Sequence, residues 1–314
     1  MTWKRYSRPL RRPEYWVVIG SVCAVSICYY GLRAAAIYGL AALTAIATDF
    51  ICLFLRGRSY RLVDLSNVGF ALILAMMFPA TIPYSILMLS TVFATVFGAH
   101  VFGYRRDLLL PPPAVGYLFA LISWPKSVLN FPPVGAELKL FHNPEDLTES
   151  VSAELNREGA LKTDLYDMLL GFVRTPMGTG CILLLLVGLG MLLFRRQLDP
   201  WKFMGCLVGL FLTLFSGKIS VIDLLTANMV LFALLFLIAD PAVGPCEAVP
   251  AYLGALITGL LIGFFIIAYH IEYAPVIAVI LTCPLWRGLD LLYHRTMQRM
   301  ANGSIEEEEE EDGE

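Results

Sequence analysis

Several acids stand inside or at the edges of very oily stretches of this chain. Asp49 lies in "LAALTAIATDFICLFL" (residues 40–55), six positions before the apolar run ends at Leu55. Asp64 opens "VDLSNVGFALILAMMFPATIP" (residues 63–83), with Asn67 three positions on. Asp223 opens "IDLLTANMVLFALLFLIADPAVGP" (residues 222–245), followed by Thr226 and Asn228, and Asp240 stands near its end. Charged and polar groups at membrane depth are costly, and where they occur they mark ion or proton paths. An Asp at a helix start can instead cap the free backbone N–H groups there. Asp64, Asp223 and Asp240 lie within a turn of a span end, so both readings stand for them. Asp49 lies deeper and is the foremost candidate for a buried functional acid. Glu272, Asp290, His100 and His270 also fall beside span ends.

Other chemistries find little support. The seven cysteines form no CxxC pair, and most sit in apolar segments, where Cys behaves as a small hydrophobe. Neither a disulfide framework nor a metal site is implied. No catalytic constellation stands out, and there is no phosphate loop, dinucleotide fingerprint or HExxH helix. Nothing points to nucleic acid.

The acids need elements to hold them, and the composition says which. Of 314 residues 58% are hydrophobic and 16% charged, against about half and a quarter in soluble domains. The excess is gathered in runs of roughly 17–22 residues, the length of a helix that crosses a bilayer. Ten spans are expected, at about 15–32, 35–55, 64–82, 84–103, 112–125, 180–194, 203–217, 221–240, 249–269 and 275–293. The first is no cleaved signal, because its basic flank is long and more spans follow. If the chain zigzags through all ten, Lys4, Arg5, Arg8, Arg11, Arg12, Arg56, Arg58, Arg61, Arg105, Arg106, Arg195, Arg196, Lys202, Arg295 and Arg299 share one face. The other face receives Arg33, Lys218 and one long loop. Positive charge stays in the cytoplasm, which puts both termini there.

The expected organisation is a basic arm (1–14), a first five-helix membrane unit (15–125), an outer-face loop (126–179), a second five-helix unit (180–293) and an acidic tail (294–314). The net charge of −3 hides this layout. Of 26 acids, 8 lie in the final "EEEEEEDGE", which leaves 18 against 23 Lys and Arg. The tail reads as a disordered, solvated charge run, and the second half of the long loop reads as helical.

Residues 63–83 and 222–245 also resemble each other. Both begin aliphatic-Asp-Leu, place Ser, Thr or Asn soon after, and end in Pro-Ala-x-x-Pro. They fall in the third and eighth spans, which run in opposite directions. The chain thus divides five plus five with inverted topology, an arrangement that puts transporter sites at broken helices.

The ordered set of motifs resembles a known family: the membrane D-subunit of the Rnf-type electron transport complex and its relative, the B-subunit of the sodium-pumping NADH:quinone reductase. "DLSNVGFALILAMMFPATIPYSI" resembles the family's Asp-Gly-Ser-Ala segment, which ends in Leu-Pro-Pro. "AVGYLFALISWP" resembles the helix after its Asn-Pro-Ala motif. "GFVRTPMGTGCILLLLVGLGMLLFRR" is similar to its Pro-Gly-Ser-x-Gly-Glu-Thr-Ser segment and glycine-rich helix. "FALLFLIADPAVGP" resembles its Thr-Asp-Pro-x-Thr-x-Pro motif. The resemblance runs from about Trp16 to Asp290. It implies an all-α polytopic fold of ten helices in an inverted repeat. It implies a multi-subunit complex in the bacterial inner membrane that moves electrons between ferredoxin or NADH and a second carrier, coupled to sodium or proton movement. The partners it implies are the other membrane proteins of that complex and the lipid bilayer.

The resemblance also implies a covalent FMN on the outer face, hung by a phosphoester from the Thr of Ser-Gly-Ala-Thr. Here the matching stretch is "REGALKTD". Gly159 and Ala160 agree, but the acceptor position is Leu161, which has no hydroxyl. Thr163 lies two residues on and is a poor substitute. Elsewhere the family's Gly-Gly-x-Gly-x-Asn becomes "GYRRDLLLPPPAVG". Its fourth-helix lysine becomes Ala99 with His100 beside it, and the Glu and Thr after Met177-Gly178 become Thr179 and Gly180. Three functions follow for comparison: a redox subunit holding flavin near residues 157–170, a non-redox scaffold that keeps the core for ion passage or docking, and a stand-alone transporter or channel. In the first two the chain is one component of a translocase rather than a self-contained enzyme.

Overall fold

The computed structural model describes residues 13–57, 66–104, 107–134, 138–140, 147–150, 152–153, 165–214, 229–245 and 247–311. Among these the regular elements are helices, joined by turns, and a hairpin of two-residue strands, β1 (Gly103–Tyr104) and β2 (Asp107–Leu108). The helices are α1 (Pro13–Leu55), α2 (Ser66–Met76), α3 (Tyr84–Phe93, continued as a π-helix over Ala94–Val101), α4 (Pro112–Ser123), α5 (Pro125–Val128), α6 (Leu165–Leu170), α7 (Ile182–Phe194), α8 (Pro200–Leu214), α9 (Val230–Ala233, continued as a π-helix over Leu234–Ile238), α10 (Ala248–Tyr269) and α11 (Ala274–Glu311).

Among the described residues four helices are long and apolar enough to cross a membrane: Pro13–Leu55, Tyr84–Val101, Ala248–Tyr269 and Ala274–Met300. Four more apolar helices are shorter, Asn67–Met76, Pro112–Ser123, Ile182–Phe194 and Pro200–Thr213. The outward faces carry large apolar residues, such as Phe54, Leu55, Ile122 and Phe194, the last 88% exposed. Water makes such a surface unfavourable, whereas lipid is its natural solvent.

The first two expected spans follow each other directly, as two helices that meet at a kink at Gly31 (φ 65°, ψ −150°) within Pro13–Leu55. That φ is open to glycine at little steric cost, so the chain changes direction there while its hydrogen bonding resumes at once. The acidic tail does not begin as a disordered run, because α11 continues from Ala274 to Glu311. Extending an existing helix costs far less than nucleating one, and the residues that follow Asp290 include good helix formers. In the long loop, α6 lies within the stretch expected to be helical, and Phe131 and Thr148 form an antiparallel bridge before it.

Small residues bring some helices very close. A Cβ added to Gly205 or Gly209 on α8 would lie 2.3 Å from the Tyr252 or Leu256 carbonyl oxygen on α10. One added to Gly259 on α10 would lie 2.2 Å from the Cys206 oxygen. Close backbone approach of this kind drives helix association in lipid, where the hydrophobic effect contributes nothing.

Two helices stop inside the core, each before a Pro-Ala-x-x-Pro turn. At the end of α2, Gly178 N–H donates to the Met76 carbonyl at 2.8 Å and Met177 N–H to Phe78 at 3.1 Å. At the end of α9, Asp199 N–H donates to Ala239 at 2.9 Å and Leu108 N–H to Ala242 at 3.1 Å. Carbonyls freed by a broken helix must find donors where water is scarce, and other chain segments supply them here. The approach at Met76 requires glycine, since a Cβ on Gly178 would sit 2.4 Å from Met76 Cβ.

Candidate functional site

Asp49 is where the structure concentrates unanswered polarity. It stands six residues before the end of α1 and is 1% exposed. Its Oδ1 accepts from Asn67 Nδ2 at 2.6 Å, the second residue of α2. The same oxygen lies 2.7 Å from His100 Nε2 in the π-helical part of α3. Three helices thus converge on one carboxylate oxygen. The π-helical turn gives His100 its position, and such wide turns recur at functional sites. Arg56 Nη2 donates to the His100 carbonyl at 2.8 Å, which secures the end of that turn. Two acceptors are left over: neither Asp49 Oδ2 nor Asn67 Oδ1 has a hydrogen-bond partner among the described residues. Buried polar atoms are almost always paired, so this pair of oxygens is suited to receive a proton donor or a cation. Carboxylate and imidazole in contact can also exchange a proton.

Asp240 is equally buried but differently employed. Its Oδ1 accepts from Ala242 N–H at 2.8 Å, bracing the turn of its own motif. Beside it Lys202, 0% exposed, donates to the Asp240 carbonyl at 3.2 Å and the Val243 carbonyl at 2.5 Å. Lys202 also lies 3.8 Å from Asp199 Oδ2. Asp64, Asp223, Thr226 and Asn228 lie outside the described residues, as do Gly159, Ala160, Leu161 and Thr163. Of the acids and amides expected to share a path, Asp49 and Asn67 are brought together, and Asp240 belongs to a separate turn.

A third polar region lies between the α10–α11 turn and the long loop. A cavity of about 670 Å³ there is lined by Lys126, Asn130, Glu149, His270, Glu272 and Tyr273, among others. Ser150 Oγ donates a hydrogen bond to Glu272. Burial raises the Glu272 carboxyl from 4.5 to about 7, opposed by the Ser150 bond and assisted by Glu149.

Sequence reasoning missed Lys202 and Arg33 as site residues, since both counted only as loop charges that orient the chain. The usable signal was position: each stands at the start of an apolar helix arm rather than clear of it. His100 was singled out for lying near a span end, but its pairing with Asp49, 51 residues away, has no sequence signature.

Many apolar helices, two interrupted inside the core, and a buried carboxylate-imidazole pair define a polytopic helical membrane protein with internal polar sites. The chain belongs to the NQR2, RnfD, RnfE family, whose sequence model matches residues 6–291. It is 27% identical to the D-subunit of the ion-translocating oxidoreductase complex of Haemophilus influenzae (strain PittGG), over 84% of this chain and 86% of that protein. A protein of the same name from Actinobacillus pleuropneumoniae serotype 5b is 25% identical over the same shares. One from Actinobacillus succinogenes is 31% identical over 43% of this chain and 39% of its own length. The chain is therefore a multi-pass membrane protein of a bacterial family.

Proposed function

We propose that this chain is the D-type membrane component of an ion-translocating oxidoreductase complex and that Asp49, Asn67 and His100 form an ion-handling station within it. Family membership supports the first part, together with relatives named for such a complex. The second part rests on one observation: a carboxylate 1% exposed, held by an amide and an imidazole from two other helices, with one oxygen left unpartnered among the described residues. Coupling electron transfer to sodium or proton movement requires a place where a positive charge can rest inside the membrane, and this cluster provides one. Asp64, Asp223, Thr226 and Asn228 extend the proposed polar path, whereas Asp240 belongs to the separate turn that Lys202 braces.

The complex lies in the bacterial inner membrane with both termini cytoplasmic, as the basic residues favour. The ten spans form two inverted five-helix repeats. The two matched helix breaks support that division, and so does the opposite direction assigned to the spans that carry them.

The family's covalent flavin does not fit. A phosphoester needs a hydroxyl, and Leu161 offers none. This favours the scaffold-and-ion-path role over a covalent-flavin redox role, and family membership favours it over a stand-alone transporter. Two measurements test the reading. Asp49→Asn should weaken electron-driven ion uptake in vesicles while the complex still assembles, and normal pumping would make Asp49 structural. The purified chain should show no ultraviolet fluorescence in a denaturing gel, and a fluorescent band would restore a covalent flavin.

A further inference from the structure

Two buried cations hold the two helix breaks, and they do so at matching positions. In Pro79-Ala80-Thr81-Ile82-Pro83 the carbonyl of the third residue, Thr81, accepts from Arg33 Nη2 at 3.2 Å. In Pro241-Ala242-Val243-Gly244-Pro245 the carbonyl of the third residue, Val243, accepts from Lys202 Nζ at 2.5 Å. Arg33 is 3% exposed and also donates from Nη1 to the Lys139 carbonyl at 2.9 Å. Each cation stands against an aromatic ring, Arg33 at 5.8 Å from the Tyr84 centroid and Lys202 at 5.7 Å from Trp286. Each enters from the start of a helical arm: Arg33 two residues past Gly31, Lys202 in the first turn of α8.

The chemistry of such a place is specific. Carbonyls at an interrupted helix end carry partial negative charge, and in inverted-repeat transporters they coordinate cations. Here a cation is already present that cannot dissociate, because it is part of the chain. Its carbonyl contacts and its aromatic neighbour replace the hydration it has lost, with Asp199 Oδ2 at 3.8 Å adding a partial counter-charge for Lys202. A fixed positive charge in a low-dielectric constriction also repels any second cation.

We propose that Arg33 and Lys202 are tethered cations that fill the latent monovalent-cation sites of the two helix breaks and close both breaks to free ions. The coupled ion then has to travel elsewhere. This inference stands on the two breaks alone and does not depend on the Asp49 station.

The test uses the intact complex containing the full chain, reconstituted in vesicles without an electron donor. Lys202→Met and Arg33→Gln remove the charge and keep most of the side chain. Passive sodium entry should rise about tenfold or more in each, the change expected when a barrier falls by about 1.4 kcal/mol. Lys202→Arg should stay as tight as the parent. In the neutral variants, sodium chloride should raise the thermal midpoint above that in equal choline chloride, because a free cation now binds the folded state. The parent should show no such difference. Neutral variants that assemble, do not leak and ignore sodium would overturn the proposal, as would a leak in Lys202→Arg equal to that in Lys202→Met. If the neutral variants assemble only when sodium is supplied, the proposal is supported. If they fail with and without sodium, the cations are structural struts and the proposal falls. Because these readouts need no electron transfer, they can fail while the Asp49 reading survives, and the reverse.

Discussion

Asp49 and Asp240 are buried to the same degree, yet their surroundings give them opposite characters. Asp240 spends its Oδ1 on Ala242, two residues away, and its turn is braced by Lys202 next door. Its carboxylate is engaged by the backbone of its own turn. Asp49 is answered from a distance, by Asn67 and His100 on two other helices, and one of its oxygens is left without a partner among the described residues. Burial alone therefore does not separate a functional acid from a structural one. What separates them is whether the fold has completed the hydrogen bonding around the carboxylate or left room for an exchangeable partner.

The largest expected effect sharpens that contrast. Asp49→Asn should lower electron-driven ion uptake by about 100-fold if Asp49 handles the charge directly. Asp240→Asn should leave uptake near the parent level, because an amide oxygen still accepts from Ala242. Equal losses in vesicle uptake assays would erase the distinction. Next comes the rigidity of the Asp240 turn. Gly244 has φ 81°, and a Cβ there would lie 2.3 Å from Trp286 Cε3. Gly244→Ala should therefore cost about 3 kcal/mol through clash and backbone strain, seen as a lower thermal midpoint of the purified chain.

The third prediction concerns a carboxyl unlike either aspartate, since Glu272 lies outside the membrane-spanning segments. Its folded value of about 7 lies above the ordinary 4.5, so the folded state binds more protons between those values. Stability then falls as pH rises from about 4.5 to about 7 and is flat above, by up to about 3 kcal/mol for a shift of that size. Glu272→Gln should flatten the midpoint-against-pH curve across that window. A slope that survives in Glu272→Gln would assign it to another group. The smallest effect is expected from Asp240→Ala, which leaves the Ala242 N–H unpaired at about 1–2 kcal/mol. Denaturation that matched Asp240→Asn would show that the cap contributes little.

Much of the scaffold was legible in the sequence. Length, hydropathy and Pro-Ala-x-x-Pro placed the apolar helices and both breaks, because these are local signals with a local cause. Asp49 was legible too, as an acid well inside an oily run. Its partners were less so. Asn67 was marked for its type, but nothing at residue 67 or residue 100 announces that both will meet residue 49. Arg33 and Lys202 were read as loop charges because charge rules count residues near span ends without knowing which way a side chain turns. A long basic side chain can point back into the core when carbonyls wait for it there. The start of the tail was misread for a related reason: composition suggests solvation, while the helix already running through Asp290 decides the backbone.

Gly31 links two of these features mechanically. It is the single non-helical joint within α1, and Arg33 sits two residues beyond it with its guanidinium fixed to Thr81 and Lys139. Arg33 thereby ties the start of the second arm to the first break. The second arm of α1, which carries Asp49 near its far end, cannot swing about Gly31 without drawing Arg33 off the first break. Tilting that lever would thus move the Asp49 carboxylate and unlatch the break in one stroke.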